Sequence, residues 1–256
     1  MKRMRRRTAV VLALAAAGAV ATGSFALANT ASDGNVSGVK FDFQPHKVPK
    51  KQFRKGALTL GTSTVFADPG NKPAGGSTDR VQLWIDDDIK LNVNSVPKCN
   101  PASMNSGTTM AQAMTACGSS KVGIGRAHTA PVSPNPAFPL CVIVFNGTNN
   151  RVLLFSRLFA STPLNCSDPS TNNGGDTSVI LLGKLKPASG DFGTQLDVDT
   201  SATALPLGDF QAVIRRSKYA SARCHDGNHK WNVKSKHTYT DGVTSVDNIK
   251  RTCKVR

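Results

Sequence analysis

Residues 230–239 (KWNVKSKHTY) hold the pattern that decides the fold of this chain. Successive residues of a β-strand point to opposite faces of a sheet. One face would carry the mainly apolar and aromatic set Trp231, Val233, Ser235, His237 and Tyr239. The other face would carry the basic and polar set Lys230, Asn232, Lys234, Lys236 and Thr238. The alternation predicts a strand with one buried face and one cationic face.

Turn signals lie on both sides of this strand. Asp-Gly dipeptides at 226–227 and 241–242 favour tight hairpin turns. We therefore expect a three-stranded antiparallel meander, formed by residues 219–224, 230–239 and 243–254. This basic meander, about residues 215–256, would end the fold.

The rest of the chain supplies further strands. Residues 141–145 (CVIVF) and 152–155 (VLLF) flank a loop that opens with Asn146-Gly147, which predicts a hairpin. Both runs are apolar at nearly every position, so both of their faces should be covered. Other β-rich runs occupy residues 57–66, 81–85, 121–130, 178–185, 193–199 and 209–217. With the meander this gives about ten strands, which is typical of an antiparallel β-sandwich.

We expect the sandwich to be a single domain, residues 56–256, with one short helix. A Thr109-x-x-Gln112 capping box is followed by an apolar stripe at helical spacing, formed by Met110, Ala113, Met114 and Cys117. This pattern predicts a helix near residues 109–117. Residues 29–55 are basic and polar, and we expect them to form a largely irregular leader of the mature chain.

The first segment has the features of a signal peptide. Five basic residues precede an apolar run from Ala9 to Val20, and Ala26-Leu27-Ala28 then matches an A-x-A cleavage pattern. We expect cleavage after Ala28 and secretion, with no transmembrane segment in the mature chain. The apolar run is shorter than the ~20 residues that a membrane span needs, and an uncleaved anchor is the alternative.

Six cysteines follow the predicted leader. In an exported chain an even number of cysteines indicates disulfides, although the sequence alone does not choose their connectivity. We expect nearest neighbours to pair, as Cys99–Cys117, Cys141–Cys166 and Cys224–Cys253. The alternative is a metal site built from Cys224, His225, His229 and His237. It is disfavoured because Asp226-Gly227 interrupts the histidine spacing and no Cys-x-x-Cys occurs.

The order of several motifs resembles a known group of proteins. These motifs are Pro49-Lys50-Lys51, Val122-Gly123-x-Gly125-x-Ala127, Phe145-Asn146-Gly147, Ala222-Arg223-Cys224-His225-Asp226-Gly227, Tyr239-x-Asp241-Gly242 and the closing Cys253. Their order resembles an uncharacterised family of secreted all-β proteins from high-GC Gram-positive, actinobacterial-type bacteria. The resemblance implies secretion and an all-β fold, and it implies no catalytic residues. Within it, the Cys141–Cys166 pair is an addition to the usual pattern.

The positive charge is unevenly distributed. The chain has a formal net charge of +16; residues 56–214 hold ten basic and eleven acidic residues, whereas residues 215–256 hold eleven basic and three acidic ones. We therefore expect an anion-binding face formed by Arg215, Arg216, Lys218, Arg223, Lys230, Lys234 and Lys236. Its partners would be anionic cell-wall polymers rather than nucleic acid, since no nucleic-acid motif occurs. The alternative is that the lysines protect a sheet edge from aggregation.

The acidic residues exclude several kinds of site. All 16 are aspartate, which excludes a His-Glu-x-x-His zinc protease, a complete EF-hand and a glutamate acid or base. No nucleophile elbow or phosphate loop occurs, so we expect a non-enzymatic protein without a cofactor. The run Asp86–Asp88 offers ligands for calcium, and a solvated turn is the alternative. A secreted hydrolase with an unrecognised site and a carrier with an apolar pocket are the alternative functions.

Overall fold

The structure, a computed structural model, describes residues 26–30, 35–65, 78–130, 137–158, 166, 177–201, 207–225 and 230–256. This part of the chain contains 17 strands, one α-helix and two short 3-10 turns. The prediction of an all-β fold with one short helix is confirmed.

The strands and the helix have the following bounds. In chain order the strands are β1 (Ala26–Thr30), β2 (Val36–Gln44), β3 (Lys47–Val48), β4 (Arg54–Lys55), β5 (Ala57–Val65), β6 (Thr78–Asp86), β7 (Ile89–Leu91), β8 (Lys121–Thr129), β9 (Pro139–Gly147), β10 (Arg151–Leu158), β11 (Ser178–Pro187), β12 (Phe192–Asp199), β13 (Leu207–Ile214), β14 (Ala220–Ala222), β15 (Lys230–Tyr239), β16 (Thr244–Thr252) and β17 (Lys254–Val255). The helix α1 spans Met110–Cys117.

Twelve of the strands form one large antiparallel sheet. Their order is β1-β2-β5-β13-β8-β9-β10-β11-β12-β6-β15-β16. The sheet curls until its two ends meet, since Ser37 Oγ on β2 donates to Asp247 Oδ2 on β16 at 2.5 Å and Arg251 Nε donates to the Phe41 carbonyl at 3.2 Å. The predicted antiparallel sandwich is confirmed in a barrel-like form, in which both layers belong to one continuous sheet.

Two apolar clusters cover the two faces of the β9–β10 hairpin. Val142, Val144, Val152 and Leu154 point into the central core of the sheet. Between them along the strands, Cys141, Ile143, Phe145, Leu153 and Phe155 point outward and pack with residues of α1. The prediction that both faces of this hairpin are covered is therefore correct.

The helix α1 forms as its capping box predicts. Thr109 Oγ1 accepts from the Gln112 amide at 3.1 Å, and Gln112 Oε1 accepts from the Thr109 amide at 2.8 Å. These two bonds satisfy amide groups that the first turn of a helix leaves without intrahelical partners. Met110, Ala113 and Cys117 are buried against the outer face of the β9–β10 hairpin.

All three predicted disulfides are present: Cys99–Cys117, Cys141–Cys166 and Cys224–Cys253. The first bridge joins the end of α1 to residue 99, which lies beside Gly147 at the end of β9. It therefore holds the helix against the hairpin that it covers.

The expectation that residues 29–55 are largely irregular is wrong. Val36–Gln44 forms β2, a full strand of the large sheet. Val39, Phe41 and Phe43 alternate along it and have no exposed surface, because they point into the core opposite Trp231. Lys40 and Asp42 lie between them, Gln44 follows, and these three residues contribute to the polar composition of the segment.

The predicted three-stranded meander is also wrong in its first strand. β15 and β16 form the expected hairpin, but β14 pairs with β4 and β7 in a separate sheet. Tyr219, Ala220 and Ala222 are fully buried, so this small sheet covers the core at the end where β6 and β13 finish. We call this the closed end of the sheet. The Cys224–Cys253 bridge links it to the end of β16.

None of the helices in the described ranges has the length and apolar character needed to cross a lipid bilayer. Most of the predicted signal peptide lies outside the described residues. Its last three residues, 26–28, belong to β1, so cleavage after Ala28 would leave only Asn29 and Thr30 of that strand.

Candidate functional site: cationic surfaces of the sheet

The structure divides the seven predicted anion-binding residues between two surfaces. Lys230, Lys234 and Lys236 lie on the outward face of β15, as their alternation predicts. Arg215, Arg216 and Lys218 are exposed in the connection from β13 to β14, at the closed end. Arg223 follows β14, and its Nε donates to buried Asp88 at 2.6 Å, so it has a structural partner.

The three β15 lysines belong to a broader surface that the sequence analysis missed. Outward side chains of six neighbouring strands, from β10 to β16 in the sheet order, form what we call the cationic sheet face. Its basic residues are Arg80, Arg151, Lys184, Lys186, Lys230, Lys234, Lys236 and Lys250. Its acidic residues are Asp79, Asp197 and Asp199. Basic residues therefore exceed acidic ones on this face.

Asp197 forms ion pairs with two of these cations. Arg80 donates to it through Nε at 2.6 Å and Nη2 at 2.5 Å, and Lys186 Nζ donates at 2.5 Å. The bonds from Arg80, followed by those from Lys186, hold the pKa of Asp197 below its usual range although the carboxylate is partly desolvated. Asp197 thus remains charged and fixes the positions of both basic side chains.

An open groove of about 560 Å³ runs across this face. Its lining residues are Asp79, Arg80, Arg151, Leu182, Lys184, Lys186, Asp197, Asp199, Ser201 and Thr238. Arg151 on β10 and Lys184 on β11 are directly opposite each other in the strand register. Its volume is within the range of roughly 300–1,000 Å³ that is typical of small-molecule sites.

A second basic surface lies at the closed end. Lys55 and Lys90 flank Ser221 across the small sheet β4–β14–β7. The Lys90 ammonium lies 4.2 Å from the centre of the Phe53 ring, and the Arg223 guanidinium lies 4.9 Å from it. These cation–π contacts bring two positive charges against the Phe53 ring.

The run Asp86–Asp88, predicted as a calcium site or a solvated turn, has mainly structural contacts. Asp86 is buried and accepts from the amides of Asp88 and Asn232, and desolvation raises its pKa to about 6. Asp88 is 1% exposed and accepts from Arg223 and from the His225 amide. Potential ligand atoms of Asp87, Asp88 and His225 lie within 4.8 Å of one another. The adjacent Arg223 opposes a cation there, so the cluster alone supports no metal site.

The alternative metal site does not assemble in the described part of the chain. Cys224 is bonded to Cys253, so its sulfur is not a thiolate ligand. His225 is exposed and bonds Asp88, whereas His237 is 1% exposed in the interior. His229 lies outside the described residues.

A buried polar cluster in the interior bears on the hydrolase alternative. Ser245 Oγ donates to Ser37 Oγ at 2.6 Å, and Ser37 in turn donates to Asp247. His237 is the register partner of Ser245, but neither of its ring nitrogens has a hydrogen-bond partner among the described residues. A catalytic triad requires the histidine to bridge serine and aspartate. Here serine bonds aspartate directly, and all four side chains are nearly inaccessible to solvent.

The interior also contains a small apolar cavity, which bears on the carrier alternative. Its volume is about 60 Å³, and Val81, Leu83, Leu154, Leu196 and Phe210 are among its walls. This is well below the roughly 300–1,000 Å³ of typical ligand pockets. The cavity is therefore a small packing defect of the core, and its volume does not support a carried ligand.

The chain matches no protein-family model, and no curated protein matches its sequence. The cationic sheet face and its groove are therefore identified by their geometry and charge.

Proposed function

We propose that this is a secreted, non-enzymatic protein that binds anionic polymers of the cell envelope through the cationic sheet face. The observation that carries the proposal is the accumulation of eight basic side chains on six neighbouring strands against three acidic ones. Arg80 and Lys186 share one ion-pair partner, Asp197. Six basic residues have no ion-pair partner among the described residues: Arg151, Lys184, Lys230, Lys234, Lys236 and Lys250.

A surface of this kind attracts polyanions through its summed field. Several like charges on one face raise the local concentration of oppositely charged polymers, and salt weakens the effect. Lys234 lies 4.8 Å from the Trp84 ring centre, which adds one aromatic platform to the face. The three disulfides are consistent with an oxidising extracellular environment.

The position of β15 favours polymer binding over protection of a sheet edge. Lysines that prevent aggregation are expected on edge strands, where backbone groups are unpaired. β15 pairs with β6 on one side and with β16 on the other. Lys234 and Lys236 therefore lie within the sheet, where edge protection does not account for them.

The test is binding of the mature chain, residues 29–256, to poly(glycerol phosphate) at two ionic strengths. Between about 0.1 M and about 1 M salt the Debye length falls from about 10 Å to about 3 Å. We expect affinity to fall steeply over this range. The triple variant Lys234→Gln/Lys236→Gln/Lys250→Gln should weaken binding at low salt by at least about tenfold.

The matched control removes three charges elsewhere, as Lys50→Gln/Lys51→Gln/Lys98→Gln. All three control lysines are exposed and lie outside the cationic sheet face. We expect the control to retain most of the affinity, and thermal unfolding to confirm that both variants are folded. Binding that is insensitive to salt, or an equal loss in both variants, would contradict the proposal.

A further inference from the structure

We propose that the groove on the cationic sheet face is a specific site for one phosphorylated polyol or sugar unit. The phosphate would lie between Arg151 and Lys184, and the hydroxyl groups would face Asp199 and Asp79. This inference deepens the proposed function, because it rests on that function for its polymer and names the unit that the face recognises.

Arg151 and Lys184 form the anion-binding subsite of the groove. They are directly opposite each other on β10 and β11, and like charges in that position destabilise a sheet. A bound phosphate would remove this repulsion and accept hydrogen bonds from both side chains. The other register partner of Arg151 is Gly147, so no side chain crowds the guanidinium on the β9 side. The planar guanidinium is suited to two-pronged binding of phosphate oxygens.

The middle of the groove carries one net positive charge, and its charged groups are held in fixed positions. Arg80 and Lys186 both donate to Asp197, the register partner of Lys184. Because Arg80 and Lys186 both bond the Asp197 carboxylate, they offer less attraction to a second anion than Arg151 and Lys184 do. The positive potential is therefore concentrated at one end of the groove.

The opposite end of the groove has groups suited to hydroxyls. Asp199 accepts from Ser201 Oγ at 2.6 Å, and Asp79, Ser201 and Thr238 line the same end. Carboxylate and hydroxyl oxygens accept hydrogen bonds from sugar or polyol hydroxyls. Asp199 is on β12, next to β11 and two residues beyond the register partner of Lys184. Strand spacing and rise then separate the two ends by about 8 Å, which suits one compact unit.

The groove also has a continuation suited to a polymer. Asp197 is opposite Gln82 on β6, and Gln82 is opposite Lys236 on β15. Lys234 and Lys236 then share the outward face of that strand. Neighbouring units of a chain anchored in the groove would therefore lie over these lysines.

The test uses glycerol phosphate and inorganic phosphate as probes, with affinity measured by NMR titration of the mature chain. We expect Arg151→Gln/Lys184→Gln to weaken glycerol phosphate binding by at least about tenfold, as the loss of charged hydrogen bonds implies. Lys50→Gln/Lys51→Gln removes the same charge from exposed lysines that lie outside the cationic sheet face. This control should change the affinity for glycerol phosphate by less than about twofold.

Asp199→Asn tests recognition of the hydroxyl groups. It should weaken glycerol phosphate relative to inorganic phosphate by roughly threefold or more, because only the polyol contacts that end. Equal losses in the groove and control pairs would overturn the site while leaving polymer binding by the face intact. Conversely, glycerol phosphate binding that depends on the groove, without any polymer binding, would support the site and contradict the proposed function.

Discussion

Asp88 is the residue on which the contacts at the closed end converge. Its side chain is almost fully buried and accepts from Arg223 Nε at 2.6 Å and from the His225 amide at 2.8 Å. Its own amide donates to Asp86 at 2.9 Å, which fixes the turn between β6 and β7. One carboxylate thus joins the large sheet to the segment that follows β14.

We expect Asp88→Asn to destabilise the fold by about 2–3 kcal/mol, because it leaves the Arg223 charge without its nearest partner. The estimate is below that for a fully buried pair because the Arg223 side chain is 26% exposed. Asp87→Asn is the control, since Asp87 lies 3.8 Å from Arg223 and its side chain is 46% exposed. Urea unfolding should show less than about 1 kcal/mol for that variant. Equal losses would contradict this role of Asp88.

His237 and Asp86 make opposite contributions to stability between about pH 4 and pH 6. Burial lowers the pKa of His237 to about 4, so the unfolded chain takes up its proton first and stability falls as pH decreases from about 6.5. Burial raises the pKa of Asp86 to about 6, so the unfolded chain loses its proton first and stability falls as pH increases from about 4. The two effects largely cancel in the wild type.

Single variants should therefore reveal the pH dependence that the wild type hides. Relative to His237→Gln, we expect the wild type to lose about 3 kcal/mol of unfolding free energy between pH 7 and pH 4. Relative to Asp86→Asn, the wild type should gain unfolding free energy as the pH falls from about 6 to about 4. Denaturant unfolding at several pH values measures both differences. If the difference in unfolding free energy between the wild type and His237→Gln does not vary with pH, a buried neutral histidine at position 237 is ruled out.

The sequence predicts which side chains point inward better than it predicts their partners. The alternation along residues 230–239 places His237 and Ser235 in the interior correctly. It gives no sign that Arg223 meets Asp88, because the two residues lie 135 positions apart. The run of three aspartates therefore indicates, from the sequence alone, a calcium site or a solvated turn, although Asp86 and Asp88 are buried.

At the scale of single elements, the strand pair β8–β13 depends on glycines. A Cβ atom built at Gly125 would lie 2.3 Å from the Gln211 carbonyl oxygen and 3.0 Å from Ala212 Cα. Backbone atoms of a central strand cannot move aside without breaking its ladder. Gly125 is therefore required by the close approach of the two strands rather than by an unusual backbone angle.

We expect Gly125→Ala to destabilise the protein by at least about 2 kcal/mol through this collision. Gly107→Ala is the control, because its nearest contact would be Asn105 Oδ1 at an ordinary 3.4 Å. That exposed substitution should change the unfolding free energy by less than about 1 kcal/mol. Thermal and chemical unfolding measure both. Similar stabilities of the two variants would show that β8 and β13 can separate at low cost.

Local sequence signals predict an element well when the residues that form it, or the strands that pair, follow one another directly in the chain. The capping box identifies α1, and the apolar runs identify the β9–β10 hairpin. Val39, Phe41 and Phe43 alternate with polar residues in the same strand pattern as residues 230–239. β2 is nevertheless not among the predicted strands, because the expectation for residues 29–55 rests on the basic and polar composition of the whole segment. The sequence predicts β14 as a strand but pairs it with β15, whereas β14 pairs with β4 and β7. An Asp-Gly dipeptide predicts a turn and does not identify which strand pairs with the one before it.

At the scale of the whole molecule, the fold brings basic residues from distant parts of the chain together on the cationic sheet face. The sequence predicts the positions of Lys230, Lys234 and Lys236, because their alternation along one strand is visible in the chain. The sequence does not predict Arg80, Arg151 and Lys184 as members of this face, because they come from strands that become neighbours only in the sheet order. The middle of the chain, nearly neutral as a sequence, thus supplies half of the cationic sheet face.

Closure of the sheet depends on side chains from opposite ends of the chain. β1 and β16 are the end strands of the sheet order, and Ser37 on β2 bonds both Ser245 and Asp247 of β16. Tyr239 OH lies 3.2 Å from Ser245 Oγ and extends the contacts along β15. We expect these closing contacts to open before the ladders that hold the rest of the sheet.

Ser37→Ala tests this order of opening. Loss of the hydroxyl removes a donor from the buried Asp247 carboxylate, so the unfolding free energy should fall by about 1–3 kcal/mol. Native-state hydrogen exchange should show faster exchange in β2 and β16 and little change in β9 and β10, because the loss concerns only the closing contacts. Ser217→Ala, in the exposed connection after β13, should leave exchange unchanged. Uniform acceleration across all strands in Ser37→Ala would instead show that the sheet closes and opens as one cooperative unit.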